Sequence, residues 1–538
     1  MIFKKRAQEH MAASLSAFVQ VLCFVFLVAA PAMSADSSGK TINIALDSEP
    51  DSLNPVENTH EVSAYDINKI FSGLLKSDEN LQMASDLAET WDVSSDGKVY
   101  TFHIKKGVKW QDGKDLTADD IKFTYDTVKD DKWISVFPAV SSDYKLIDQV
   151  TVVDPYTVKF TVQKAIVPFV ENFALPILPK HILDGQDLSK TDFWQKPIGT
   201  GPFKFDSWTH GEELVLSANK DYFGGAPKFE TLRYVFVPDV NARINLLKTG
   251  EVDAIQIDPQ NMKTLEGVHG IKVYSVPSAQ WYAMNMNNSK WPFSIKEIRQ
   301  AIGYAIDKQK IVDTVFMGQG EPAYGPYSKA SWVYNPEIEH PMDVAKAKQL
   351  LKEAGFSDTN GDGILEKDGT DLEFDILYRT NELIRRDIAI AVQTDLNSIG
   401  MKVNLVGKSP GEMTKVMMHE NFLRAGGNPM DPDDYNYNEF NSAFINVGTS
   451  NLASYSNPQV DKLLEEGRTT FDKEKRKEIY QQLQTILAED QPTAFIAFGN
   501  TLYAVSDKLT GIKPRSAPHE HGGITGELWW NVEQWNKQ

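Results

Sequence analysis

Cysteine is almost missing from this chain: 538 residues contain one, Cys23, inside an apolar stretch near the N-terminus. Beyond it there is no thiol for a disulfide framework, a nucleophile or a cysteine-built metal centre. Long apolar runs are also missing past residue 30, and a bilayer-spanning helix needs about 20 such residues. Basic residues are in short supply, 55 Lys and Arg against 74 Asp and Glu, for a net charge of −19. Nucleic acid is a poor partner for such a chain, because neutralising phosphates takes clustered cations. Common catalytic motifs are lacking too, with no Gly-x-Ser-x-Gly and no His-Glu-x-x-His. Gly107–Lys114 approaches a phosphate loop, but its glycines stand one residue too far apart and Asp115 replaces the magnesium-binding hydroxyl. Gly113 is therefore read as a turn. Acids abound, yet no pattern pairs two of them for acid–base work. An enzyme is not expected.

What is present begins with Lys4-Lys5-Arg6, then an apolar run from Leu15 to Ala30, then the small residues Ala32, Ser34 and Ala35. A basic head, an apolar middle and a small-residue exit form the pattern of a secretory signal, with cleavage expected near Ala35. Cys23 lies within the apolar run after Val21 and Leu22, which argues against lipid attachment. Residues 1–35 carry a net +2 (Lys4, Lys5 and Arg6 against Glu9), so the remainder carries −21. The expected location is the periplasm, as an exported, soluble protein.

About 500 residues exceed one hydrophobic core, so two or three packed units are expected. Val99–Ile104 and Thr151–Val162 alternate as half-buried strands, the second interrupted at Asp154-Pro155. Thr41–Ala45 and Leu232–Val237 are further strand candidates. Ile295–Phe316 has helical spacing; Asp343 and Asn381 read as helix caps, with Gly355 and Gly400 as the matching stops. Pro458 suits a first helical turn, and a long helix is expected over 472–489. The result is a mixed α/β chain, strand-rich in its first half.

Several longer segments belong together. Asp86–Trp91 (DLAETW) leads through Ser95–Gly113 (SDGKVYTFHIKKGVKWQDG) to Leu116–Tyr125 (LTADDIKFTY). Around them stand Ser48–Pro55 (SEPDSLNP), Pro197–Phe205 (PIGTGPFKF), Asn219–Phe223, Ile298–Asp307 (IRQAIGYAID) and Ala345–Gly355 (AKAKQLLKEAG). In this order the set resembles the extracellular solute-binding family 5, which serves oligopeptide, dipeptide and nickel importers. Asp358–Leu365 and Ala488–Pro492 bring the resemblance nearest the oligopeptide-binding branch.

The resemblance implies a two-lobed periplasmic-binding-protein-like fold of the class II type, with mixed sheets flanked by helices and an extra small domain. Lobe I would combine residues 36–85, 200–288 and 498–538; the small domain would be 86–199, and lobe II 289–497. A solute in the cleft would stabilise the closed state by touching both lobes. The expected role is capture of oligopeptides and delivery to the membrane permease subunits of an ABC importer, by a monomer that needs no cofactor. A sensor or chaperone-like scaffold on the same fold is the alternative of another class.

For the site, Trp281 and Tyr282 lie on a strand that runs past the family's cleft, where aromatics cover a ligand. Arg385 or Arg386, early on a helix, could hold a ligand carboxylate in a bidentate pair. At Asn428 peptide-binding relatives often place an aspartate that pairs with the α-ammonium. Asparagine offers a hydrogen bond without the charge, and Asp431 or Asp433 could substitute. His519 and His521, two residues apart, suit nickel. They open a second reading, a captured nickel chelate carried as cargo. Asp358, Asn360, Asp362 and Gly363 begin like a calcium loop, but Gly369 stands where its Glu belongs, so a solvated turn is expected.

Overall fold

The alternation at 99–104 and 157–162 folds as a β-layer in the computed structural model, which describes residues 40–50, 52–55, 69–130, 142–417, 419–427, 431–516 and 528–538. Tyr100, Phe102 and Ile104 are buried on one face of Val99–Ile104, and Val158, Phe160 and Val162 on one face of Thr157–Val162. The two strands pair antiparallel, Tyr100 opposite Phe160 and Phe102 opposite Val158. Ala88–Val93 and Ile147–Asp154 complete a four-stranded antiparallel sheet. Phe102 and Phe173 meet ring to ring at 4.5 Å, and Tyr125 and Phe160 at 4.8 Å. Such aromatic pairs add to the area they bury.

A second sheet has seven strands. Thr41–Leu46 lies inside it, parallel to Thr231–Phe236 on one side and to Ala254–Ile257 on the other. Its run of five buried residues is what a strand covered on both faces requires. Glu213–Ala218, Phe203–Thr209, Thr501–Ser506 and Ile271–Val276 fill the flanks. One continuous hydrophobic cluster joins this sheet to the four-stranded one.

The third sheet has six strands, and Trp281–Asn285 lies between Thr493–Gly499 and Phe422–Gly426. All five of its residues are buried. Because successive side chains point to opposite faces, Trp281, Ala283 and Phe495 join one cluster while Tyr282, Met284 and Ile496 join another. Helix Lys473–Asp490 covers the first face, and helices Lys296–Ala305 and Leu383–Asn397 the second.

Between the seven- and six-stranded sheets the described chain crosses twice. It leaves the seven-stranded sheet at Val276, enters the six-stranded one at Trp281, and returns between Gly499 and Thr501. The sequence reading drew the first boundary at residue 288; the chain crosses one strand earlier. Asn500 fastens the return crossing: its N–H donates to the Gln319 carbonyl at 3.0 Å and its Nδ2 to Ser275 Oγ at 2.9 Å.

Helix boundaries follow their caps. Asp343 accepts from the Lys346 N–H at 2.8 Å. The expected helix over 295–316 is two helices, because Asp307 caps Lys308–Thr314 by accepting from the Lys310 N–H at 3.0 Å. The expected cap Asn381 stands one residue outside, with Glu382 at the N-cap of Leu383–Asn397. Gly355 and Gly400 adopt φ of +89° and +92°, as helix stops do. Among the described residues no helix is long and apolar enough to cross a membrane.

Candidate functional site

Trp281 pairs in register with Gly426. A Cβ on Gly426 would stand 2.6 Å from the indole, and one on Gly427 would collide with the Ala279 carbonyl. Gly427 also has φ of +118°, open to glycine and to few others. The two glycines therefore let the backbone lie against the Trp281 ring just before Asn428. Trp281 is fully buried, edge-on to Tyr435 at 5.9 Å and Phe495 at 5.3 Å. Its Nε1–H has no hydrogen-bond acceptor among the described residues. Tyr282, expected beside it, faces the other side of the sheet; it packs on Phe316 at 5.1 Å and accepts from Gln280 Nε2 at 2.8 Å.

Arg424 occupies an otherwise apolar strand, Phe422–Gly426, and its side chain is 7% exposed. Its guanidinium donates to Glu439 Oε1 at 2.7 Å and to the Tyr435 hydroxyl, and sits 5.3 Å from the Trp281 ring. Burial raises the Tyr435 phenol above its usual value, with Arg424 and Arg385 opposing. Burial likewise raises the Glu439 carboxyl, opposed by Arg424. Arg385 is turned inward and paired with Glu382, whereas Arg386 is turned outward and paired with Asp387 at 2.8 Å. Arg424, Tyr435 and Trp281 thus form one buried group against the Gly426–Gly427 backbone, and the Arg385 charge acts on its Tyr435 phenol.

Asp431, expected to offer its charge to a ligand, is already paired. Its two oxygens accept from the two terminal nitrogens of Arg476 at 2.6 Å each, a fork that leaves little capacity for another cation. One of them also accepts from the Asp433 N–H at 2.8 Å. Asp433 is fully buried, accepting from Arg468 Nε at 3.0 Å and from the Tyr480 hydroxyl at 3.2 Å. Burial pushes its carboxyl up to about 7, against the pull of Arg468 and Arg476. Tyr327 adds a hydrogen bond to the Pro432 carbonyl at 2.8 Å. Asp431–Asp433 is therefore a fixed platform. Asn428, His519 and His521 lie outside the described residues.

Arg424, Tyr435, Glu439, Arg468 and Arg476 escaped the sequence reading. One signal was available: an arginine inside the strand FLRAG must be buried and hence paired. The Asp358 carboxylate accepts from the Gly361 and Gly363 N–H groups at 2.6 and 3.0 Å. Among the described residues no three His, Cys, Asp or Glu side chains gather as a metal site.

Two bodies, each built on its own sheets and joined by two crossings, have the architecture of the two-lobed solute-capturing class. Residues 82–447 match the model of the bacterial extracellular solute-binding proteins, family 5 Middle. The oligopeptide-binding protein AppA of Bacillus subtilis (strain 168) is 35% identical over 481 residues, 86% of this chain and 87% of its own length. NikZ from Campylobacter jejuni, solved with Ni(L-His), superposes with a TM-score of 0.81 at 31% identity, covering 93% of this chain and 100% of its own. AppA from Bacillus subtilis, solved with a nonapeptide, superposes with a TM-score of 0.76 at 32% identity, covering 93% and 99%. The chain belongs to the bacterial extracellular solute-binding proteins of family 5.

Proposed function

We propose that this protein captures oligopeptides between its two lobes and delivers them to the permease subunits of an ABC importer. The observation that carries the reading is the 35% identity with an oligopeptide-binding protein over most of both chains. Two buried side chains support it: Arg385 is the cation for a ligand carboxylate, and the Trp281 Nε1–H is a donor for a ligand carbonyl or carboxylate. Asn428 reads the other end of the ligand by hydrogen bond, without charge, so a free α-ammonium is not demanded. Asp431 acts by holding its segment through Arg476. Tyr282 contributes from the opposite face of the sheet by packing.

Residues 1–35 form a cleaved export signal, which places the working protein in the periplasm without a lipid anchor. The lobes are 36–85 with 200–276 and 501–538, and 281–499; 86–199 is the small domain, and the hinge falls at 277–280 and Asn500. The protein works as a monomer and catalyses no reaction.

A second reading is capture of a nickel chelate by His519 and His521, favoured by the likeness to NikZ with its Ni(L-His). Calorimetry separates the two. The exported protein is titrated with a pool of random nonapeptides and with nickel plus histidine. Heat from peptides, lost in Arg385→Met and kept in the double variant His519→Ala/His521→Ala, supports the peptide reading. Heat only from nickel with histidine, lost in the histidine variant, overturns it.

A further inference from the structure

The hydrophobic clusters stop at the boundary between the body built on the seven- and four-stranded sheets and the body built on the six-stranded one. Among the described residues, Gln260 Nε2 donates across to the Val315 carbonyl at 3.4 Å, and a denser set of polar bridges stands at another place. Lys164 Nζ meets Glu465 Oε2 at 2.9 Å, and Asp143 Oδ2 accepts from an Arg468 terminal nitrogen at 3.5 Å. Beside them Gly97, in a turn of the four-stranded sheet, lies so close to Phe471 that a Cβ there would stand 2.7 Å from the ring.

We propose that Arg468 is a positioning residue that ties the approach of the four-stranded unit to the Asp431–Asp433 segment at the ligand position. The inference rests on the reading of this chain as a binding protein that closes over its solute. The guanidinium is oriented from its own side. It lies 3.8 Å over the Tyr437 ring and gives its Nε–H to Asp433 at 3.0 Å. That fixes the plane of the fork and aims its remaining nitrogen across the gap at Asp143. Side-chain exposures of 13% for Arg468, 24% for Asp143 and 0% for Asp433 make this pair less screened than Lys164–Glu465, at 49% and 46%. The two bridges share a network, since the Tyr437 hydroxyl donates to Glu465. Opening breaks the contact with Asp143 and leaves Arg468 to Asp433 and Tyr437 alone. Closure and the arrangement of Asp431–Asp433 therefore stabilise each other, as linkage requires.

The test uses spin labels at Val153→Cys and Glu474→Cys in the exported protein, with distances measured in the ligand-free protein and again with a random nonapeptide pool. Asp143→Asn is expected to lengthen the distances and to raise peptide release about two- to fivefold, the range for one partly exposed ion pair, with little change in association. Arg468→Met is expected to do the same, Arg468→Lys to recover part of the loss, and Asp143→Asn combined with Arg468→Met to add little beyond either alone. Unchanged distances in Asp143→Asn, or effects of the two changes that add as if independent, overturn the proposal. If no peptide binds, the proposed ligand fails, but the ligand-free distances still decide on Arg468.

Discussion

Replacing Asp431 with alanine strands the Arg476 guanidinium, whose side chain is 4% exposed, among Tyr480, Asp433 and the Gly467 carbonyl. Removing one partner of a buried pair costs about 3–5 kcal/mol, because the other charge stays buried and unmatched. Arg476 keeps its Nε–H bond to the Gly467 carbonyl at 2.7 Å, which places the loss at the lower end. We expect about 3 kcal/mol. For a cooperative unit of about 150–250 residues, each kcal/mol moves the midpoint by about 2–4 °C, so the melting transition of the six-stranded lobe should fall by about 6–12 °C. Calorimetric melting and urea titration at neutral pH both read this. The double variant Asp431→Leu/Arg476→Met should recover most of the loss, because an apolar pair of similar volume replaces a buried ion pair at little cost. A single-variant loss under about 1 kcal/mol would refute the reasoning, since it would mean the pair is solvated.

Gly427→Ala should destabilise by about 2 kcal/mol or more in urea, from strain at φ of +118° and collision with the Ala279 carbonyl. Asp433 has a folded pKa of about 7, above the ordinary carboxyl value near 4. The native state therefore takes up the proton first and gains stability as pH falls from about 8 to about 3; Asp433→Asn should flatten that part of the stability–pH curve. His340 runs the other way. Burial, followed by the charge of Lys308, holds its imidazole down at about 4. Its contribution is intact above about pH 6.5 and is lost as pH falls through about 4. His340→Gln should remove that acid-side loss in pH-dependent melting.

Much of the architecture was legible, and the reasons lie in particular residues. The alternation at 99–104 and at 151–162, with its break at Asp154-Pro155, and the cap Asp343 are local signals, and they fold as strands 99–104, 147–154 and 157–162 and as a capped helix. Trp281 and Tyr282 were read as neighbours in one site. Adjacent residues on a strand face opposite sides, so that signal was available and went unused. Asp431 was read as a charge for the ligand because its partner Arg476 lies 45 residues away on another helix, and no periodicity links the two. The helix over 295–316 broke at Asp307 because a cap inside a helical pattern outweighs the pattern around it. The first crossing was drawn late although Pro277, Ser278 and Gln280 separate WYAMN from the strand before it, a turn signal that went unused.

Native mass spectrometry of the protein exported and purified without added ligand asks the central question most directly. The account predicts a population carrying a heterogeneous set of peptide masses, which exchanges for an added nonapeptide pool and is depleted in Arg385→Met. A protein that carries only nickel with histidine, or that takes up no peptide from the pool, would contradict it.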